Sequence, residues 1–397
     1  MTTFTTSLTK GENSFDTAKK AAEEANNKLH GMIPNLCIVF SSMKYDLRDV
    51  VKGVRSVIGN TTQIIGCSSS GEFTEEAVDK HSISIGLLSS NKYTFKVAGA
   101  TGLKENAEEL FMGLQEDLKG FIDTPGETSA IMFMDGLAGN GEEASLIALG
   151  TFAAQMNIVG GAAGDDLAFQ STQVIANDDV LDDGISVCIV KGENQLFSGV
   201  KHGHKPITEP LIATKAEGNV LYTVNDRPAW DVWKEQTKDN AHKIGIDVDT
   251  ISENTDVGSF LIRFELGLAT KDGFKIRVPL SKNADGSLNF ACTVPQGATF
   301  RIMESVKEDQ IRSAREAAEI AKTNVGNKKI VGIIVFDCIC RAIILGDRFS
   351  EAIDAIKDVA GKDIPLLGFE TYGEICMNPT QFSGFHNTTT VLAFITE

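Results

Sequence analysis

Two stretches place chemically capable residues at one spacing. Residues 66–73 read Gly-Cys-Ser-Ser-Ser-Gly-Glu-Phe, and residues 368–375 read Gly-Phe-Glu-Thr-Tyr-Gly-Glu-Ile. Both follow the pattern Gly, four residues, Gly, Glu, and both come after a short apolar run. A shorter relative, GGAAGD at 160–165, follows Asn157-Ile158-Val159. The spacing is that of a phosphate loop, which continues with Lys and Ser or Thr. Here Glu72 and Glu374 stand in that place and would repel a triphosphate. The first stretch also misses the Gly-x-Ser-x-Gly frame of a nucleophile elbow, because Ser70 follows Ser69. What such turns can offer is a set of backbone N–H groups for an anionic group, with a carboxylate beside them for an ammonium. That combination suits an amino acid or a similar zwitterion. The candidate ligand-binding residues are Gly66, Cys67, Ser68, Ser69, Gly71 and Glu72 in the first loop, Gly161 and Asp165 in the second, and Gly368, Tyr372, Gly373 and Glu374 in the third. The plainer account is that the glycines supply unusual backbone angles and the acid caps the next turn.

Other candidates stand alone. Arg341 follows the apolar run 328–338 and could reach the third loop as a bidentate carboxylate ligand; alternatively it pairs with Asp337 or Asp347. His202-Gly203-His204 puts two imidazoles on one side of a strand, where they could bind a metal or haem iron or simply sit at a polar strand end. Cys67 is a nucleophile only if its environment favours the thiolate, and Cys338 and Cys340 read as core thiols. Trp230 and Trp233, three apart, read as core anchors of a helix.

These residues sit in a recurrent pattern of elements. Residues 35–42 read as a strand, 45–58 as a helix and 82–90 and 93–100 as strands around an Asn91-Lys92 turn. Strand 129–136, a helix over 141–156, and strands 172–176, 184–191 and 194–201 repeat the scheme. Strand 328–338, a helix over 348–360 and strand 387–395 repeat it again. The units at 35–100, 129–201 and 330–396 thus share strand, helix, strand, Gly-acid loop and returning strands. Residues 206–304 are strand-rich with one helix near 228–237, and a charged helix over 305–324 leads into the last unit. The fold class that follows is α/β, mixed α+β: helices covering mixed, largely antiparallel sheets, with repeated units in two similar halves. The expected divisions are a helical segment over 1–34, a domain over 35–220 and a second over 221–397.

Composition narrows the function. The net charge of −17 disfavours nucleic acid. No run approaches the roughly 18 apolar residues of a membrane span, and the polar N-terminus lacks a signal-peptide core, so the expectation is a cytoplasmic protein. The seven cysteines are odd in number and irregularly spaced, as for buried reduced thiols.

The stretches IIGCSSSGEF, IVGGAAGDD, AEGNVLYTVNDRPAWDVW, GSLNFACTVPQGATFRIM, VFDCICRAIILGDR and PLLGFETYGEI together resemble the FIST-domain family, with its N-terminal and C-terminal FIST regions, from about residue 35 to the end. The resemblance implies a non-enzymatic intracellular sensory module that binds small ligands such as amino acids. It implies signalling through a separate partner such as a kinase or receptor, since the chain leaves no room for an output domain. It also brings an alternative, a haem-binding nitric oxide sensor using His202 or His204. An enzyme built on Cys67 and a pure interaction scaffold are the remaining readings.

Overall fold

The computed structural model describes residues 1–123, 126–152, 156–251, 256–271, 273–377 and 384–397. Three six-stranded sheets of identical topology surround one core, and a nine-stranded sheet is attached to them. At the centre of each six-stranded sheet lies a parallel pair. The pairs are Leu36–Ser42 with Gln63–Ser69, Glu127–Met134 with Asn157–Ala162, and Ile330–Cys338 with Leu366–Thr371. Helices Leu47–Ile58, Gly141–Thr151 and Phe349–Ala360 connect them, as parallel strands require a crossover. The returning strands Ile83–Ser90, Gly184–Gly192 and Thr389–Thr396 pair antiparallel with the first strand of each pair. The edge strands are Thr2–Thr9, Tyr93–Thr101 and Phe197–His202.

The mixed, largely antiparallel fold and the recurrence of units agree with the sequence reading, but each unit starts earlier than read. The edge strand and the helix after it open the unit rather than close the one before. Thr2–Thr9 escaped the sequence reading, and residues 1–34 are therefore not a helical segment alone. Thr5, Ser7 and Thr9 are buried, and their hydroxyls donate to the carbonyls of Ala25, Ala21 and Thr17 on helix Ser14–Lys28. A strand of hydroxyl residues reads as polar until a helix is there to accept from them. The helix read over 141–156 is seen as Gly141–Thr151, with 153–155 outside the described residues.

The fifth and sixth positions of each sheet are exchanged. After its Gly-acid loop, each unit sends a short hairpin into a neighbouring sheet. Glu72–Thr74 pairs with Leu366–Thr371 of the third unit. Gln173–Ala176 pairs with Gln63–Ser69 of the first. Gly373–Met377 pairs with Asn157–Ala162 of the second. The exchange closes a circle around a dry core in which Phe40, Phe133 and Phe336 occupy the same place in each first strand. Phe369 stacks on Phe40 at 4.3 Å between ring centroids, and Phe133 meets both edge-on at 5.4 and 5.8 Å. Gly66 and Gly160 are packing glycines: a Cβ there would lie 2.1 and 1.8 Å from a carbonyl oxygen of the adjoining parallel strand.

The nine-stranded sheet is inserted between the third edge strand and the helix Lys307–Val325. Its own core holds Trp230, Trp233, Phe260, Phe264 and Phe300, with Trp233 Nε1 donating to the Phe264 carbonyl at 2.9 Å. Among the described residues, no helix is long and apolar enough to cross a membrane.

Replacing Phe133 by alanine should cost about 3–5 kcal/mol, because it empties a fully enclosed site shared by three sheets. Urea unfolding measures this. A cost below about 1 kcal/mol would mean that the three sheets do not share one core.

Candidate functional site

The three Gly-acid loops meet at the carboxyl ends of the parallel pairs. They are joined by a ring of main-chain bonds. Ser70 N–H donates to the Glu370 carbonyl at 3.2 Å, Gly164 N–H to Ser68 at 3.0 Å, and Tyr372 N–H to Ala162 at 3.1 Å. Donors and acceptors occupy equivalent places in the three units. Glu370 N–H also donates to the Gly71 carbonyl, and Asp166 N–H to Ser69. The loops thus converge, but they spend these N–H groups on one another. The anion-binding nest expected from the sequence is therefore corrected, since these donors already have partners.

The glutamates of the first and third loops share one structural task. Glu72 accepts from the Ser69 hydroxyl, from Ser82 N–H at 3.0 Å and from the Ser82 hydroxyl. Glu374 accepts from the Thr371 hydroxyl at 2.7 Å, Thr389 N–H at 3.0 Å and the Thr389 hydroxyl at 2.8 Å. Each fully buried carboxyl ties its loop to the start of the returning strand. Burial nevertheless outweighs these donors and pushes Glu72 up to about 7 and Glu374 up to about 8.

The middle loop breaks the pattern. Alanine at 163 offers no hydroxyl, and Asp166 turns elsewhere. Its Oδ2 accepts from the Ser42 hydroxyl at 2.7 Å, while its buried Oδ1 has no hydrogen-bond partner and lies 3.8 Å from His81 Nδ1. Between them runs a cleft of about 630 Å³ lined by Met43, Lys44, His81, Asp165, Asp166, Ala168, Gln170 and Ser171. Asp165 pins the loop: it accepts from the N–H groups of Phe169, Gln170 and Ser171 and from the Tyr372 hydroxyl. Burial opposes its charge, but these donors win and hold its pKa below the usual carboxylate range. The Phe169 ring stacks on Tyr372 at 5.1 Å. The backbone around the cleft is strained. His81 (φ 56°), Asp166 (55°), Leu167 (65°) and Phe169 (51°) are all left-handed, a cost that concentrates at ligand clamps.

The other predicted residues are placed as follows. Cys67 points into the shared core, and burial raises its thiol pKa well above normal, which disfavours the thiolate. Ser68 Oγ accepts from Gln173 N–H at 3.0 Å. Gly161 and Gly373 pack against Thr371 and Phe385, and Gly368 against Phe73. Arg341 is not at the loop site. It is fully buried, donating to Asp337 at 2.7 Å, to Ser313 at 2.9 Å and to Gln310, so its guanidinium is committed. His202 and His204 lie at the crossing into the nine-stranded sheet. His202 Nδ1 accepts from His204 N–H, and burial pushes His202 down to about 3. The enclosed His204 Nε2 lies 3.4 Å from Glu265, which accepts from Thr388 beside Glu374's partner Thr389. Both rings belong to that joint. The sequence reading passed over Asp166, His81, Ser70 and Glu370. The available signal was the mismatch between units: Glu370 stands where the others have Ser68 and Ala162.

The FIST N domain matches residues 35–227 and the FIST C domain residues 229–377. The chain belongs to the FIST family. An uncharacterized protein of Methanocaldococcus jannaschii is 23% identical to this FIST chain over 350 residues, 83% of this chain and 67% of that one. An uncharacterized protein of Mycobacterium tuberculosis is 27% identical over 230 residues, and the match spans about half of each chain (55% of both). Among solved structures, a chorismatase is 8% identical with a TM-score of 0.36 over 100% of this chain and 99% of that one. A cyanuric acid hydrolase is 10% identical with a TM-score of 0.32 over the full length of both. At such scores the likeness is distant.

In this FIST chain Glu72 and Glu374 hold protons more tightly folded than unfolded. Their contribution to stability is complete below about pH 4 and is lost as pH rises through about 7 to 8. Melting temperature should therefore fall across that window, and Glu374→Gln should flatten the fall. An unchanged slope in the variant would show that Glu374 is not the titrating group.

Proposed function

We propose that this FIST chain is a sensory protein that binds a small polar ligand, an amino acid or a similar molecule, in the Asp166 cleft. FIST domains are generally sensor domains of signal transduction, which sets the class of function. The observation that carries the site is the unpartnered Asp166 Oδ1. In the first and third loops the equivalent acid is consumed by three donors; in the second the residue lines the cleft and its buried Oδ1 keeps no donor. A buried acceptor without a donor is costly, and a ligand ammonium relieves that cost. Lys44 also lines the cleft and can offer a ligand carboxylate a donor, though its Nζ already donates to the Gly11 carbonyl at 3.1 Å and to Glu12 at 3.4 Å.

Signalling on this reading runs through the loop at 166–169. Its left-handed residues store strain, and Phe169 and Leu167 are exposed on it at 59% and 37%. A ligand that bonds Asp166 favours one arrangement of this loop over another, and a separate partner reads the difference.

A panel of amino acids screened by thermal shift should raise the melting temperature for one or a few members. Asp166→Asn should remove the shift while leaving the unliganded melting temperature within a few degrees. Retention of the full shift by Asp166→Asn would exclude this cleft as the site.

A further inference from the structure

Glu370 is the acid that the loop ring leaves unanswered. It lies beside Asp337 in the parallel register of the third sheet. Phe369 pairs with Glu72, and Glu72 with Asp79, so the next positions in register set Gly71 against Glu370 and Lys80 beyond Gly71. One sheet face therefore carries the row Asp337, Glu370, Gly71, Lys80, because residues directly opposite share a face. Asp337 is satisfied by Arg341 and by the Thr390 hydroxyl, at 2.7 Å each. Glu370 is only 2% exposed, and its Oε2 has no hydrogen-bond partner. Its carboxyl leans over Gly71, where a Cβ would stand 2.5 Å from the carboxyl carbon. The glycine gives that carboxyl its room.

Glu370, Ser70 and Lys80 border the cleft without lining it: Asp166, which does line it, is among the charges acting on Glu370. Ser70, whose N–H bonds the Glu370 carbonyl, is also 2% exposed, and its buried Oγ lies beside the Tyr372 hydroxyl. Lys80 and His81 are consecutive: one ends the row and the other lines the cleft. The charged groups around Glu370 are Glu72, Asp337 and Asp166, opposed by Lys80, with Arg341 already committed to Asp337. An anionic group is repelled here, and once the Glu370 proton has left, only a cation offsets the carboxylate charge. A protonated primary amine supplies both N–H donors and charge.

We propose that Glu370, beside Asp166, is the counter-ion for the same protonated amine of the bound ligand, so that the site selects ligands by a free cationic nitrogen. This rests on the reading of the Asp166 cleft as the ligand site. Burial pushes Glu370 up to about 8, so near neutral pH its carboxyl is mostly protonated. The incoming ammonium then displaces that proton to the buffer and leaves a carboxylate–ammonium pair. Affinity consequently rises about tenfold for each unit by which pH increases toward 8.

Calorimetry on the full chain tests this with amino acids, their N-acetyl derivatives and simple alkylamines, in buffers of different ionisation enthalpy. The free amine should bind at least roughly tenfold more tightly than its N-acetyl form, with release of a proton. Glu370→Gln should remove both the preference and the proton release. It should also fold, with a raised melting temperature near pH 8, since it deletes an unpaired acid. Gly71→Ala, which crowds the carboxyl, should weaken amine binding in the same direction. Equal binding of N-acetylated ligands, or proton release that survives in Glu370→Gln, overturns the amine assignment and leaves the cleft reading standing. If no member of the panel binds the wild-type chain, both fall.

Discussion

The ring of three main-chain hydrogen bonds among Ser70, Gly164 and Tyr372 and their acceptors is the constraint on which the molecule turns. Each unit sends its hairpin into a neighbour's sheet, so no unit can complete its own sheet alone. The loops are where the chain makes that crossing. Three chain segments crowd together there, and buried main-chain groups must find partners. They find them in each other, and the shared phenylalanine core directly beneath becomes a single body.

This geometry explains why the repeated acid is glutamate in two loops. A carboxylate buried next to the ring reaches back to the residue three before it and forward to the returning strand. Three hydrogen bonds to each carboxyl hold the loop to the returning strand, but burial still raises its pKa. Because two units use the acid in one way, departures from the shared pattern become informative. Asp166 is released from that task, and Glu370 appears where its counterparts are Ser68 and Ala162. Both departures lie around one ring, and both leave buried oxygens without donors.

The inserted nine-stranded sheet is joined to this centre by polar contacts as well as by the chain. His204 faces Glu265, Glu265 accepts from Thr388, and Thr389 bonds Glu374 in the third loop. Thr388, a β-branched residue at φ 52°, holds an unfavourable backbone conformation at that junction. A change at the loops thus has a short route of direct bonds into the second sheet.

Much of this was legible in the sequence. Apolar runs such as Leu36–Ser42 and Ile330–Cys338, the helical spacing after them and the repeated Gly-x4-Gly-Glu identified the mixed fold and the recurring unit, because these depend on local periodicity and turn chemistry; the family came from the resemblance of whole stretches. The cysteine and tryptophan readings held for the same reason: apolar context predicts burial, and all seven thiols are free and buried. The partners of the polar residues were not legible. Whether Glu374 faces a ligand or Thr389, whether Arg341 reaches a loop or Asp337, and whether Thr5 meets water or a helix carbonyl depend on segments far apart in the chain. The amino-acid sequence by itself determined that three Gly-acid turns would exist. Only the tertiary structure decided which acids would be consumed in holding them together, because a buried carboxyl takes whichever donors the exchanged strands bring to it.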